Sequence, residues 1–141
     1  MSSVVISGDT SGSVTLQAPA IAGSTTVNLP STSMNMGTGG GSVSTNTAFG
    51  VSALNANTTG FYNTAIGYQA LLVNTTGIAN IAYGTLALSA NTTGQYNVAV
   101  GAQALQNNTA GQYNVAVGDY ALASNTTNNA STAVGHEIGR A

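Results

Sequence analysis

The chain has 141 residues, one of them Lys or Arg and three Asp or Glu, for a net charge of −2. With Arg140 as its one strong cation, it has nothing to replace the counterions of a nucleic acid or to hold an anionic membrane surface. It has no Cys, so disulfides and thiolate metal sites are out. No apolar run approaches the ~20 residues of a spanning helix.

The start, Met1-Ser2-Ser3-Val4, has neither the basic residues nor the long apolar stretch of a signal peptide. Three short strands are predicted next: Val4-Val5-Ile6, Ser13-Val14-Thr15-Leu16-Gln17 and Ser24-Thr25-Thr26-Val27-Asn28-Leu29. The second and third alternate polar and apolar residues, as half-buried strands do. Turns at 7–12 and 22–23 separate them, and Pro30 closes the last. A module of this size, residues 1–33, buries too little to stand alone and needs partners, either identical subunits or a docking surface. Residues 34–44, Met-Asn-Met-Gly-Thr-Gly-Gly-Gly-Ser-Val-Ser, are Gly-rich and read as a linker or hinge.

From residue 45 to 135 a 17-residue unit repeats, the sixth copy incomplete. Asn46-Thr47-Ala48-Phe49-Gly50 returns at 63–67, 80–84, 97–101 and 114–118, and as Ser131-Thr132-Ala133-Val134-Gly135. Ala-Leu pairs at 53–54, 70–71, 87–88, 104–105 and 121–122 keep the same step, as do turns beginning at Asn57, Asn74, Asn91, Asn108 and Asn125. A period without slippage stacks equivalent residues on one another, the signature of a solenoid. A unit this short has no room for two helices but suffices for short strands and turns. The predicted fold is therefore all-β: a β-solenoid (β-roll) built from one coil per repeat.

Each repeat offers two β-compatible stretches. One is Asn-x-Ala-apolar-Gly; the other is centred on Ala-Leu, as in Tyr68-Gln69-Ala70-Leu71-Leu72-Val73. The turn Asn-Thr-Thr-Gly at 57–60 becomes Asn125-Thr126-Thr127-Asn128 in its last copy. Replacement of Gly by Asn there predicts a left-handed backbone position. Between the constant Ala and Gly lies a variable apolar residue, Phe49, Ile66, Tyr83, Val100, Val117 or Val134. This residue and the leucines are assigned to the coil interior, with Ala48, Gly50 and their equivalents on a crowded external contact such as a threefold axis. The reverse assignment of faces stays open. A rod this thin buries little per coil, so a second buried face, supplied by a homotrimer, is expected.

The Asn-Thr-Ala-Ile-Gly unit at 63–67 and its later copies resemble the head repeats of trimeric autotransporter adhesins, which form a trimeric left-handed β-roll. The wider Asn-Thr-Thr-Gly-x-Tyr-Asn-x-Ala-apolar-Gly pattern is more similar to repeats of bacteriophage tail fibres and related virion fibres. Residues 2–31, especially Ser11–Pro19 and Val27–Pro30, also resemble the N-terminal segment of such phage proteins. The resemblance implies a non-enzymatic virion structural protein on the particle surface. It would be a homotrimeric tail or capsid-decoration fibre, docked on a capsid or tail protein through residues 1–33, that reaches a host surface and its glycans. The alternatives are a bacterial trimeric adhesin head and a monomeric solenoid that binds ice or glycan.

No catalytic, cofactor-binding or metal-binding residues are assigned. His136 beside Glu137 is the one candidate acid-base or metal pair, and a lone His per chain is a weak ligand pattern; residues 136–141 read better as a polar C-terminal cap. Asp9 and Asp119 are too far apart in sequence to propose as a carboxylate pair. Asn57-Thr58-Thr59 and its copies match the glycosylation sequon, but the turn reading accounts for them. The constant threonines sit in turns rather than strands, against an ice-binding face. Tyr62, Tyr96 and Tyr113 either brace neighbouring coils or stack on sugar rings; Ala79 and Ala130 hold the same slot in other repeats.

Overall fold

The structure, a computed structural model, describes residues 45–139. The predicted strand module 1–33, the linker 34–44 and the last two residues lie outside that range. Within it the chain is an all-β solenoid of about five turns, with about 17 residues to the turn. Its strands are β1 (Thr47–Phe49), β2 (Thr64–Ile66), β3 (Ile81–Tyr83), β4 (Val98–Val100), β5 (Val115–Val117) and β6 (Thr132–Val134). They form one parallel sheet in sequence order. Register never slips: Ala48 lies opposite Ala65, Ala65 opposite Ala82, and so on to Ala133.

The strands are short because Gly50 and its five equivalents, with φ between 127° and 144°, end each one. A side chain at Gly67 would be strained there, and its Cβ would lie 2.5 Å from the carbonyl oxygen of Gly84 one coil on. The second β-compatible stretch is not a strand. Residues 68–73 form turns, held within the coil by bonds such as Asn74 N–H to Leu71 O (3.2 Å) and between coils by Leu71 N–H to Ala87 O (3.0 Å). Closing so small a coil forces sharp reversals, and they fall on residues that seldom adopt them. Leu54, Leu71, Leu88, Leu105 and Leu122 all have φ of 50–52°. Left-handed backbone at such residues costs on the order of 1–2 kcal/mol each, offset here because the turn throws each Leu into the core.

The predicted left-handed position in the Asn-Thr-Thr-Gly turn is corrected: residues 60, 77, 94, 111 and 128 are not among those with positive φ. Gly is needed there for space. A Cβ on Gly77 would sit 2.5 Å from Gly94 O and collide with the Asn74 side chain.

The assignment of faces is also reversed. Ala48, Ala65, Ala82, Ala99, Ala116 and Ala133 point inward and are buried, whereas Phe49, Tyr83 and Val134 are 48%, 57% and 69% exposed. The leucines are interior as expected, Leu54 to Leu105 completely. Cross-section decides the matter. So short a coil encloses one Leu and a few small side chains, and a second large residue does not fit. Alanines 70, 87, 104 and 121 complete the apolar core.

The rest of the interior is polar. Asn46, Asn63, Asn80, Asn97 and Asn114 form one buried column and Asn57, Asn74, Asn91, Asn108 and Asn125 another. In the first, Asn80 donates to Asn63 Oδ1 through its backbone N–H (3.0 Å) and Nδ2 (3.2 Å), and the pattern recurs at Asn97 and Asn114. In the second, Asn91 Nδ2 donates to Asn74 Oδ1 (2.8 Å) and Asn108 Nδ2 to Asn91 Oδ1 (2.9 Å). The two columns converge, since Asn80 Nδ2 and Asn91 Nδ2 both donate to Gly94 O, at 2.8 and 3.1 Å. Apart from Asn108 Oδ1, the amides are satisfied by equivalent groups one coil away and by turn carbonyls such as Gly94 O, which offsets the desolvation of a buried polar column.

Two substitutions test this core. Asn91→Ala strands the Oδ1 of Asn74 and should lower the unfolding free energy by about 2–3 kcal/mol, against under ~0.5 kcal/mol for Thr93→Ala on the exposed side of the same turn; urea unfolding compares them. Ala99→Leu should overpack the coil and cost at least about 1–3 kcal/mol, whereas Val100→Leu, facing outward, should leave the solenoid intact by circular dichroism.

Candidate interaction surface

A parallel sheet ordinarily has both faces covered. Here one face covers the core and the other is bare. Its outer side chains form two columns that rise one residue per coil. One is Phe49, Ile66, Tyr83, Val100, Val117 and Val134; the other is Thr47, Thr64, Ile81, Val98, Val115 and Thr132. At a strand spacing of about 4.8 Å, six strands give a wall roughly 24 Å long. Neither column contains a charged residue. A continuous apolar face of this kind marks an interaction site more often than a bare surface.

A third column flanks the wall. Tyr62, Ala79, Tyr96, Tyr113 and Ala130 occupy equivalent positions, all with left-handed φ between 53° and 59°. The rings of Tyr96 and Tyr113 stack in parallel, with centroids 5.1 Å apart and planes within 5°. Tyr62 instead meets Phe61 edge-on at 5.0 Å. The three tyrosines remain exposed. They therefore brace coils where two are adjacent while leaving ring faces and hydroxyls at the rim of the wall.

The Asn-Thr-Thr-Gly turn is polar and locked to itself. Thr58, Thr75, Thr92 and Thr109 each turn Oγ1 onto the carbonyl of the equivalent Thr in the next coil, at 2.9–3.2 Å. Those hydroxyls donate within the rod. The exposed column beside them, Thr59, Thr76, Thr93 and Thr127, is interrupted by Ala110.

His136 and Glu137 continue the coil register: Glu137 N–H donates to Asp119 O (2.9 Å), and the His136 ring packs edge-on against Tyr120, 6.4 Å between centroids. Asp119 Oδ1 accepts the Ala102 N–H (2.9 Å), a coil-to-coil bond. Among the described residues no cluster of His, Cys, Asp and Glu is placed to hold a metal ion, and no helix is long and apolar enough to cross a membrane. Asp9 and Arg140 lie outside those residues.

The wall is the feature that sequence reasoning misses, yet its signal is present in the repeat. The column that never changes between repeats, Ala, fills a cavity of constant size. The column that varies from Phe to Val has no such limit and lies outside. No protein family matches the chain, and no curated protein or solved structure gives a match.

The tyrosine stack yields a prediction. A double-mutant cycle of Tyr96→Ala and Tyr113→Ala should give a coupling of about 0.5–1.5 kcal/mol in unfolding free energy. Tyr62→Ala paired with Tyr113→Ala should be additive, the two being three coils apart.

Proposed function

We propose that the chain is a non-enzymatic structural protein of a virion, a short fibre on a phage tail or capsid, in which three copies pack their sheet walls around a common axis. The observation that carries this reading is the uncharged apolar wall along the whole described rod. An occupant must match a ridge that repeats at every coil over that length, and a second solenoid of the same pitch does so. Copies of this chain also meet without like-charge repulsion, since both outer columns are neutral.

The trimeric count and the virion setting rest on the resemblance of the repeats and of residues 2–31 to phage fibre proteins. In this reading residues 1–33 dock on a capsid or tail protein, 34–44 give play, and the solenoid projects. The polar turns face water, and Tyr62, Tyr96 and Tyr113 stand at the rim for weak contact with a host surface. A bacterial adhesin head would use the same wall in the same way.

Light scattering after size exclusion should give about three times the chain mass of 13.8 kDa. Val100→Asp places carboxylates in the wall and should yield folded monomers, while Thr93→Asp in the exposed polar turn, outside both wall columns, should leave the trimer intact. A wild-type monomer that is stable and folded would refute self-association through the wall.

A further inference from the structure

We infer that Asn128 closes the solenoid against growth: no further coil, from this chain or from another copy, can stack in register on the turn it occupies. An end coil is an open edge. Thr58 and Thr59 donate backbone N–H groups to Thr75 O in the next coil, at 2.9 and 3.2 Å; their equivalents Thr126 and Thr127 have no coil above them among the described residues. Unpaired edges of this kind template further chains unless something blocks them.

The obstruction is a single carbon. At Gly60, Gly77, Gly94 and Gly111 a Cβ would point at the carbonyl oxygen of the equivalent residue in the following coil, well inside van der Waals contact in every case. Four coils in a row show the same direction. Asn128 is the one residue of this column that carries a Cβ, and a coil stacked above it would meet that carbon with its own carbonyl.

The same carbon acts downward. At Gly77 and Gly94 a Cβ would also collide with the side-chain oxygen of the Asn three residues earlier. In the last turn the side-chain oxygen of that Asn has a different partner. Asn125 Nδ2 donates to Asn128 O (3.3 Å), as in every earlier turn, but its Oδ1 accepts the Asn128 N–H (3.0 Å), and the bond that would continue the column to Asn108 is not made. Asn108 Oδ1 is accordingly the one buried side-chain polar atom without a partner among the described residues. Its counterparts in Asn57, Asn74 and Asn91 each accept from the next Asn (2.8–3.0 Å). One substitution in the repeat thus both breaks the buried column and blocks the surface above it.

The test inserts a second copy of residues 97–113 between Ala130 and Ser131 of the full chain, in two forms that differ only at residue 128. With Asn128→Gly the added coil should stack, protecting the 125–128 amides from hydrogen exchange and raising the unfolding midpoint by about 4 °C or more over the Asn form. With Asn128 retained, those amides should exchange as fast as in the parent protein. Equal protection in the two forms would overturn the inference, and so would absence of protection in both, because the block would then lie somewhere other than this Cβ. In the uninserted chain, Asn128→Gly should also slow exchange at Asn125 by restoring its bond to Asn108; an unchanged rate would sever the two effects here joined.

Discussion

Everything in this rod depends on closing a coil in about 17 residues. The circumference fixes the interior, which holds one leucine, two alanines and two asparagines per turn. That interior in turn selects the surface. Side chains larger than Ala on the strand have nowhere to go but outward, so a narrow core produces a bulky apolar exterior. The same closure explains the backbone. Reversals tight enough to return the chain within one repeat put Leu, Gln and Tyr in left-handed conformations in coil after coil. That local cost is sustained because every coil repeats it and packs on the one before.

The asparagine columns make the stack specific. Alanines and leucines stack passably with a shift of a residue or two; a buried amide does not. Each Asn must find its acceptor and donor one coil away, and a slipped coil would bury several unsatisfied amides at about 1–3 kcal/mol each. Apolar burial thus supplies cohesion and the amide columns supply register. Thr58, Thr75, Thr92 and Thr109 add a third set of coil-to-coil bonds at the rim of the turn. Charge has little part in this scheme, consistent with a chain that has so few ionisable groups.

The period is legible from the letters, and with it the fold class, the stacking of equivalent residues and the interior place of the leucines; that the asparagines are buried is not. Conformation within the period is less so. Residues 68–73 resemble a strand in composition, but their left-handed Gln69 and Leu71 are set by coil closure, a global condition that no local propensity records. At 60, 77, 94 and 111, Gly suggests a conformational requirement where the real one is spatial: the neighbour that excludes a side chain is a full repeat away in sequence. The wall escapes notice for a related reason. Large apolar residues ordinarily mark a core, and only the size of the cavity, unknown until the coil is closed, sends them outside.

The turn glycines and the wall share a lesson about repeats. In a solenoid, a residue's environment is mostly its own counterpart in the next coil, so constancy along a column measures confinement. The Ala, Leu and Asn columns hold nearly constant because each is confined on both sides by itself. The outer columns vary because nothing within the chain confines them. The turn glycine holds for four coils and yields to Asn at 128, where no described coil lies above to confine it. Departure from the repeat is therefore as informative as the repeat: on the wall it marks side chains that nothing within the chain confines, and at Asn128 it coincides with the break in the buried asparagine column.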